Sequence, residues 1–177
     1  MPACVFLSKA DAEGFEPHLP AHLISIADSA QDQALIDHSR WSSVSYHHFT
    51  DAGFDEEVLS CFIGAHFERE FSDYILAEKA RDLRERIHQA TARGELIVVN
   101  SHAGRSRSAA VARYIETKYG YSLTAPTPDA NLCVFRMLVE DPALMYAYAN
   151  AVHPLSEPPK QRVGLFGWVR SRLQNQT

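Results

Sequence analysis

The stretch from Glu95 to Gly120, ELIVVNSHAGRSRSAAVARYIETKYG, constrains the fold more than any other part of the chain. Glu95–Val99 is a short apolar run whose length and β-branched content suit a buried strand. It passes directly into a loop crowded with serine, glycine and arginine. From about Ser106 to Tyr119 the pattern becomes helical, and Gly120 is placed to stop it. A strand that feeds a tight polar loop and then a helix belongs in an α/β arrangement, which needs further strands alternating with further helices.

The chain supplies both. Ala3–Leu7, His22–Ala27 and Val44–Phe49 are apolar runs of strand length bounded by polar or turn residues. Over Glu78–Ala92, Ala80, Leu83, Ile87 and Ala90 recur three or four apart, while Lys79, Arg81, Asp82, Arg84 and Glu85 occupy the other face; this predicts an amphipathic helix ended by Gly94. Residues 129–150 read as two short helices broken around Asp141-Pro142. The expected fold is one α/β domain over residues 1–153, with a central, mostly parallel sheet of four or five strands flanked by helices. Pro154, Pro158 and Pro159 then mark a linker in 154–177, which ends in the short amphipathic segment VGLFGWVRSRL (163–173). Its basic and apolar residues suit a membrane surface, but two glycines weaken a helix there, so packing back on the domain or fraying is the expected behaviour.

At 177 residues and 46% hydrophobic content, the chain can bury an ordinary single core. The net charge of −5 gives no global basic footprint, so no nucleic-acid partner is expected and any anion site must be local. Cys4, Cys61 and Cys133 are odd in number and lack CxxC spacing, which argues against a disulfide framework or a zinc knuckle and fits a reducing cytoplasm. The N-terminus lacks the basic and apolar regions of a secretory signal, and no run approaches the roughly 18 apolar residues of a membrane span. A cytoplasmic protein without a membrane span is expected.

Residues 100–106 join a strand end to a helix start, which aims backbone N–H groups and a helix dipole at one spot. The GK[ST] ending of a Walker loop is absent. Ser101 and Arg107, with five residues between them and Ser108 following, form a loop that resembles the Cys-x5-Arg-Ser/Thr signature of dual-specificity and protein-tyrosine phosphatases. HAGRSRSAAVA is especially similar to the AGxSRS variant of the dual-specificity branch. The order of LISIAD (23–28), YHHFTD (46–51), the loop and NLCVFRML (131–138) resembles compact bacterial and phage members of that group, over roughly residues 3–145.

The resemblance implies hydrolysis of phosphate monoesters, most simply on phosphotyrosine or phosphoserine/threonine proteins or small phosphomonoesters, without metal or cofactor. A thiolate at position 101 would form a phosphocysteine. His102, Ala103, Gly104, Arg105 and Ser106 would line the phosphate, Arg107 would clamp it, and Ser108 would help the sulfur leave. Two residues depart from the family. Ser101 replaces the cysteine, and Asn100 replaces the histidine that usually precedes it. A serine hydroxyl is scarcely ionised at neutral pH and no base is evident in the loop, so binding with little turnover is expected. An engineered Cys→Ser substrate trap and a natural pseudophosphatase that binds phospho-ligands both remain open.

The family also uses an aspartate as general acid. Asp51, at a strand end, is the first candidate, and Asp55, Glu56 and Glu57 follow it. His47 and His48 are metal-ligand types, but neighbours on a strand point to opposite faces and share one ion poorly. His102 and Arg105 occupy the loop positions where inositol-lipid phosphatases carry lysines, which leaves an inositol-phosphate or lipid substrate as an alternative. Cys133 reads as a small buried hydrophobe. Asn131 and Arg136 are candidates for bracing the loop.

Overall fold

A computed structural model describes residues 1–62 and 64–153. The core is a five-stranded sheet with every neighbouring pair parallel: β1 (Ala3–Ser8), β2 (Ala21–Ala27), β3 (Ser43–His48), β4 (Leu96–Ser101) and β5 (Ser122–Leu123), in the order β3-β2-β4-β1-β5. The most apolar runs take the interior positions. β2 is buried at every residue and β4 from Ile97 to Ser101, as strands covered on both faces must be. The expected α/β class with a parallel sheet is therefore what the chain adopts.

The described residues form seven α-helices, α1 (Lys9–Glu13), α2 (Glu56–Cys61), α3 (Ala65–Glu70), α4 (Ala77–Thr91), α5 (Arg107–Tyr119), α6 (Leu132–Leu138) and α7 (Pro142–Val152). Among the described residues none is long and apolar enough to cross a membrane. Ala80, Leu83, Ile87 and Ala90 are the buried residues of α4, the stripe that its periodicity predicts. α5 packs on β1 and β4, and α4 on β3. Ile24, Ile26, Ile97 and Val99 join these helices and the aromatic residues Phe54, Phe67 and Phe71 in one cluster. The break between α6 and α7 falls at Asp141, whose carboxylate accepts from Leu144 N at 3.0 Å and caps α7 with Pro142 in its first turn.

Two differences from the sequence reading matter for function. β4 runs two residues further than Glu95–Val99, so Asn100 and Ser101 belong to the strand and not to the loop. Ser106 is the N-cap of α5 and not its first residue. The proline-rich linker and the 163–173 segment lie outside the described residues.

Candidate functional site

The parallel order brings the C-terminal ends of β1, β2 and β4 to one edge. Ser8 pairs with Ser101, and Ser25 with Asn100. Here β4, the last of the long strands, enters between β1 and β2, which makes this the switch point at which open α/β sheets form their crevice. Ser101 closes β4 and is 2% exposed. The following residues, 102–106, wrap back over the end of β1, where Lys9 N donates to His102 O at 3.2 Å.

Gly104 makes that wrap possible. Its φ of +71° is left-handed, and a Cβ there would sit 2.4 Å from Ser8 N and 2.5 Å from Leu7 C. Every larger residue is excluded twice, by conformation and by contact. The backbone N–H groups of Ala103, Gly104, Arg105 and Ser106 donate to no acceptor among the described residues. With the first turn of the 13-residue α5 behind them, they form a concavity of positive potential.

Ser101 and Ser108 meet at its base. The Ser101 hydroxyl donates to Ser108 Oγ at 3.0 Å and accepts from Ser108 N at 3.3 Å. Arg107 is 2% exposed. Its Nη1 donates to Asp28 Oδ1 at 2.6 Å and to the Phe49 carbonyl at 2.5 Å. The opposite side of the same guanidinium is unspent: Nε is buried with no hydrogen-bond partner among the described residues, and the Asp51 Oδ2 atom lies 3.9 Å away. A buried charged donor without an acceptor is costly, so this Nε is an unmet hydrogen-bonding demand at the base of the loop.

Asp51 is the one acidic candidate that reaches the loop. Its Oδ1 accepts from Ser106 Oγ at 2.6 Å and from Asn131 Nδ2 at 3.0 Å, which leaves Oδ2 facing Arg107. Asn131 braces this corner three ways. Its N–H donates to the Ser106 carbonyl at 3.2 Å, its amide holds Asp51, and its Oδ1 caps α6 by accepting from Val134 N at 3.1 Å. Gly53 lets the Asp51 loop lie against α6, since a Cβ there would come 2.7 Å from the Cβ of Cys133. Cys133 is 7% exposed, and burial pushes its thiol pKa up, as suits a core residue.

The other candidates go elsewhere. Asp55 caps α2 by accepting from Val58 N at 2.9 Å, and Glu57 is exposed on the same helix. Glu56 pairs with Arg136, which also holds Asp141 at 2.7 Å, so Arg136 ties α2 to α6 and α7 and does not brace the loop. Asn100, 1% exposed, does not brace it either, for its Oδ1 is without a partner among the described residues. His47 is buried with Asp82 3.4 Å from its Nδ1. Asp51 lies on the loop instead, so YHHFTD does not gather its three ligand-type side chains at one point.

His102, Ala103 and Arg105 form the exposed rim of the loop, and Arg105 makes no ion pair among the described residues. His102 also lines a cavity of about 240 Å³ with Lys9, Asp28, Asp32, Asn100 and Arg107. Asp28 and Lys9 were not among the sequence candidates. Their only signal is position: each directly follows a strand of the parallel sheet, at the edge where such strands present functional groups. No protein-family model matches the chain, and no curated protein matches it.

Proposed function

We propose that this chain carries a phosphomonoester hydrolase site that works through a phosphocysteine when residue 101 is cysteine, and that with Ser101 it binds phosphomonoesters and turns them over very little. The observation that carries this reading is the buried, unpartnered Nε of Arg107 beside four loop N–H groups that are equally unspent. A phosphoryl group set in the concavity would take those N–H bonds and an Nε–H···O bond from an arginine already oriented by Asp28 and the Phe49 carbonyl.

In the cysteine form, the thiolate at position 101 would be favoured by the loop amides and the α5 dipole. Its lone pair forms the S–P bond while the P–O bond breaks and its electrons leave on the ester oxygen. A proton on Asp51 Oδ2 passes to that oxygen. Asp51 Oδ1 keeps Ser106 and Asn131 throughout, so one carboxyl oxygen is an anchor and the other is free for proton transfer. Water then attacks phosphorus, its proton returns to Oδ2, and the S–P bond breaks as the Ser108 hydroxyl hydrogen-bonds the departing sulfur. Arg107 follows the charge on the equatorial oxygens in both steps.

Ser101 cannot begin this sequence. Its hydroxyl contacts the Ser108 hydroxyl and amide, neither of which is a base. The same contacts favour the second reading, a phospho-ligand binding module without turnover. Phosphorylated proteins and small phosphomonoesters are the substrate classes, and the exposed His102 and Arg105 on the rim keep inositol phosphates or phospholipid headgroups as the alternative.

The test is hydrolysis of an aryl phosphate by the Ser101 chain, by Ser101→Cys, and by Ser101→Cys with Arg107→Ala. Activity in the Ser101→Cys form alone supports the hydrolase. If Ser101→Cys stays inactive while inorganic phosphate or vanadate still binds, the site is a recognition module. Failure of either anion to bind any form overturns both readings.

A further inference from the structure

We infer that Ser43, His22 and Glu95 form a second hydrolytic site, one that cleaves small carboxylic esters through an acyl-serine at Ser43. They meet at the N-terminal end of the sheet, the opposite end from residues 101–107. His22 is the second residue of β2 and Ser43 the first of β3, and the two are direct partners in the parallel register, so their side chains share one face. Glu95 immediately precedes β4, which flanks β2 on its other side.

Ser43 Oγ lies 2.7 Å from His22 Nδ1, and His22 Nε2 lies 3.1 Å from Glu95 Oε2. A hydroxyl, a base within hydrogen-bond reach and a third group that orients the base are the parts of a hydrolytic triad, whatever fold carries them. His22 is 6% exposed, and its Nε2 and Glu95 Oε2 are close without being aligned for a hydrogen bond, as catalytic contacts often are before substrate arrives. The carboxylate keeps the proton of the neutral imidazole on Nε2, which leaves the Nδ1 lone pair for the Ser43 hydroxyl.

The three residues border a cavity of about 600 Å³ between the β2–β3 face and α4, room enough for a small ester. A sheet face covered by a helix should be apolar, yet His22, Ser43, Ser45 and His47 all face this space. Donors for an acyl oxyanion are at hand. Ser42 N donates to Ala21 O at 2.8 Å, so the next N–H, that of Ser43, points away from β2, and β3 is the last strand on that side. Arg86 and Arg93 line the cavity, while the nearby carboxylates of Asp82 and Glu95 face the histidines. Ser45, His47 and Asp82 repeat the pattern at 3.2 and 3.4 Å, but burial lowers the His47 pKa to about 4, too weak a base for neutral pH. Burial lowers the His22 pKa as well; there Glu95 opposes the shift and Arg93 is the other charge beside the ring.

Ser43 Oγ attacks the acyl carbon while its proton passes to His22 Nδ1. The C–O bond to the alcohol breaks, and that proton leaves on the alcohol oxygen. Water then attacks the acyl-serine and gives one proton to Nδ1. The bond to Oγ breaks, the proton returns to Oγ, and the carboxylic acid departs. Glu95 stays ionised and acts as a positioning residue.

The experiment is hydrolysis of para-nitrophenyl acetate by the full chain and by Ser43→Ala, His22→Gln, Ser45→Ala and Glu95→Gln, with the fold of each checked by circular dichroism. Ser43 is exposed, so its alanine variant should fold. Ser43→Ala and His22→Gln should each lower kcat/KM by about 10²-fold, and Ser45→Ala should leave it unchanged. Glu95→Gln should move the acid limb of the kcat/KM profile to lower pH, because the carboxylate charge raises the His22 pKa; loss of packing alone would not move it. Phenylmethanesulfonyl fluoride should label Ser43, as mapped by peptide mass spectrometry. A parent rate no greater than that of equimolar free imidazole overturns the proposal. So does an unchanged rate in Ser43→Ala, or a label on Ser45 or Ser101 in its place. The substrate carries no phosphate, so failure here leaves the reading of the 101–107 loop standing.

Discussion

Arg107 and Arg136 are both drawn out of full solvent exposure, both meet aspartate, and both lie beside loops that connect helices to the sheet edge, yet they are spent differently. Arg136 commits both Nη atoms to carboxylates, bidentate on Glu56 and then on Asp141. Those hydrogen bonds hold its pKa above the ordinary arginine range and hold Glu56 and Asp141 below the usual carboxylate range. Arg107 commits one nitrogen, Nη1, while its buried Nε has no hydrogen-bond partner among the described residues and only Asp51 Oδ2 3.9 Å away. A satisfied fork ties helices together, whereas a half-satisfied, immobilised fork keeps a donor unspent, on which the proposed phosphate site rests. Buried arginine by itself says little; the unspent donor beside the loop amides is what supports the proposed site.

The largest effect should come from breaking the unspent side. In the Ser101→Cys chain, Arg107→Ala should lower kcat by about 10²–10³ in aryl phosphate hydrolysis, the usual cost of removing one donor to developing charge. Arg136→Met should leave kcat unchanged. If both lower it equally, the contrast between them fails.

Gly104→Ala should remove inorganic phosphate binding, read by calorimetry, and destabilise the fold by about 1–3 kcal/mol, because the left-handed φ and the Ser8 contact cannot both be kept. Retention of phosphate binding would mean that the loop's amides are not its ligands. Asp28→Asn should be milder, about tenfold in kcat/KM, since a charged hydrogen bond that orients Arg107 is weakened while the Phe49 carbonyl remains. An unchanged kcat/KM would remove Asp28 from the site.

The smallest effect sharpens the contrast through pH. Glu56 and Asp141 have depressed pKa values in the folded chain, so the stability they share with Arg136 is fully present above the ordinary carboxylate range and is lost as pH falls through their folded values. His47 acts in a neighbouring window. Burial lowers its pKa to about 4, so the unfolded chain binds a proton first and stability falls as pH drops from about 6.5 towards 4. In a His47→Gln background, thermal unfolding of Arg136→Met should differ from its parent by a few degrees at pH 7 and converge with it in acid. A constant offset across pH would show that Arg136 contributes packing and not charge.

Much of this was legible in the sequence for a local reason. Strands of β-branched runs, the α4 stripe and the Ser101–Ser108 loop are each set by residues within a few positions of one another, whereas the crowding of Gly104 against Leu7 and Ser8 was not legible, because those contacts come from the far end of the chain. α1, α2 and α3, five or six residues long, carry too little periodicity to be read and are held by the contacts they make. The two-residue β5 has no sequence signal apart from its pairing with Ala3 and Cys4.

The sequence alone determined that a tight polar loop would sit between a buried strand and a helix. Only the tertiary structure decided what completes it. Asp28 reaches Arg107 across 79 residues because the order β3-β2-β4-β1-β5 brings strand ends distant along the chain to one edge, and Asn131 reaches Asp51 across 80 because α6 packs against α5. It also separated equivalent acids: Asp51 and Asp55, four residues apart, became a site carboxylate and a helix cap. Local pattern sets the conformation of each segment, whereas sheet order and register decide which side chains lose water together, and that shared burial makes one arginine a strut and leaves the other with an unspent donor.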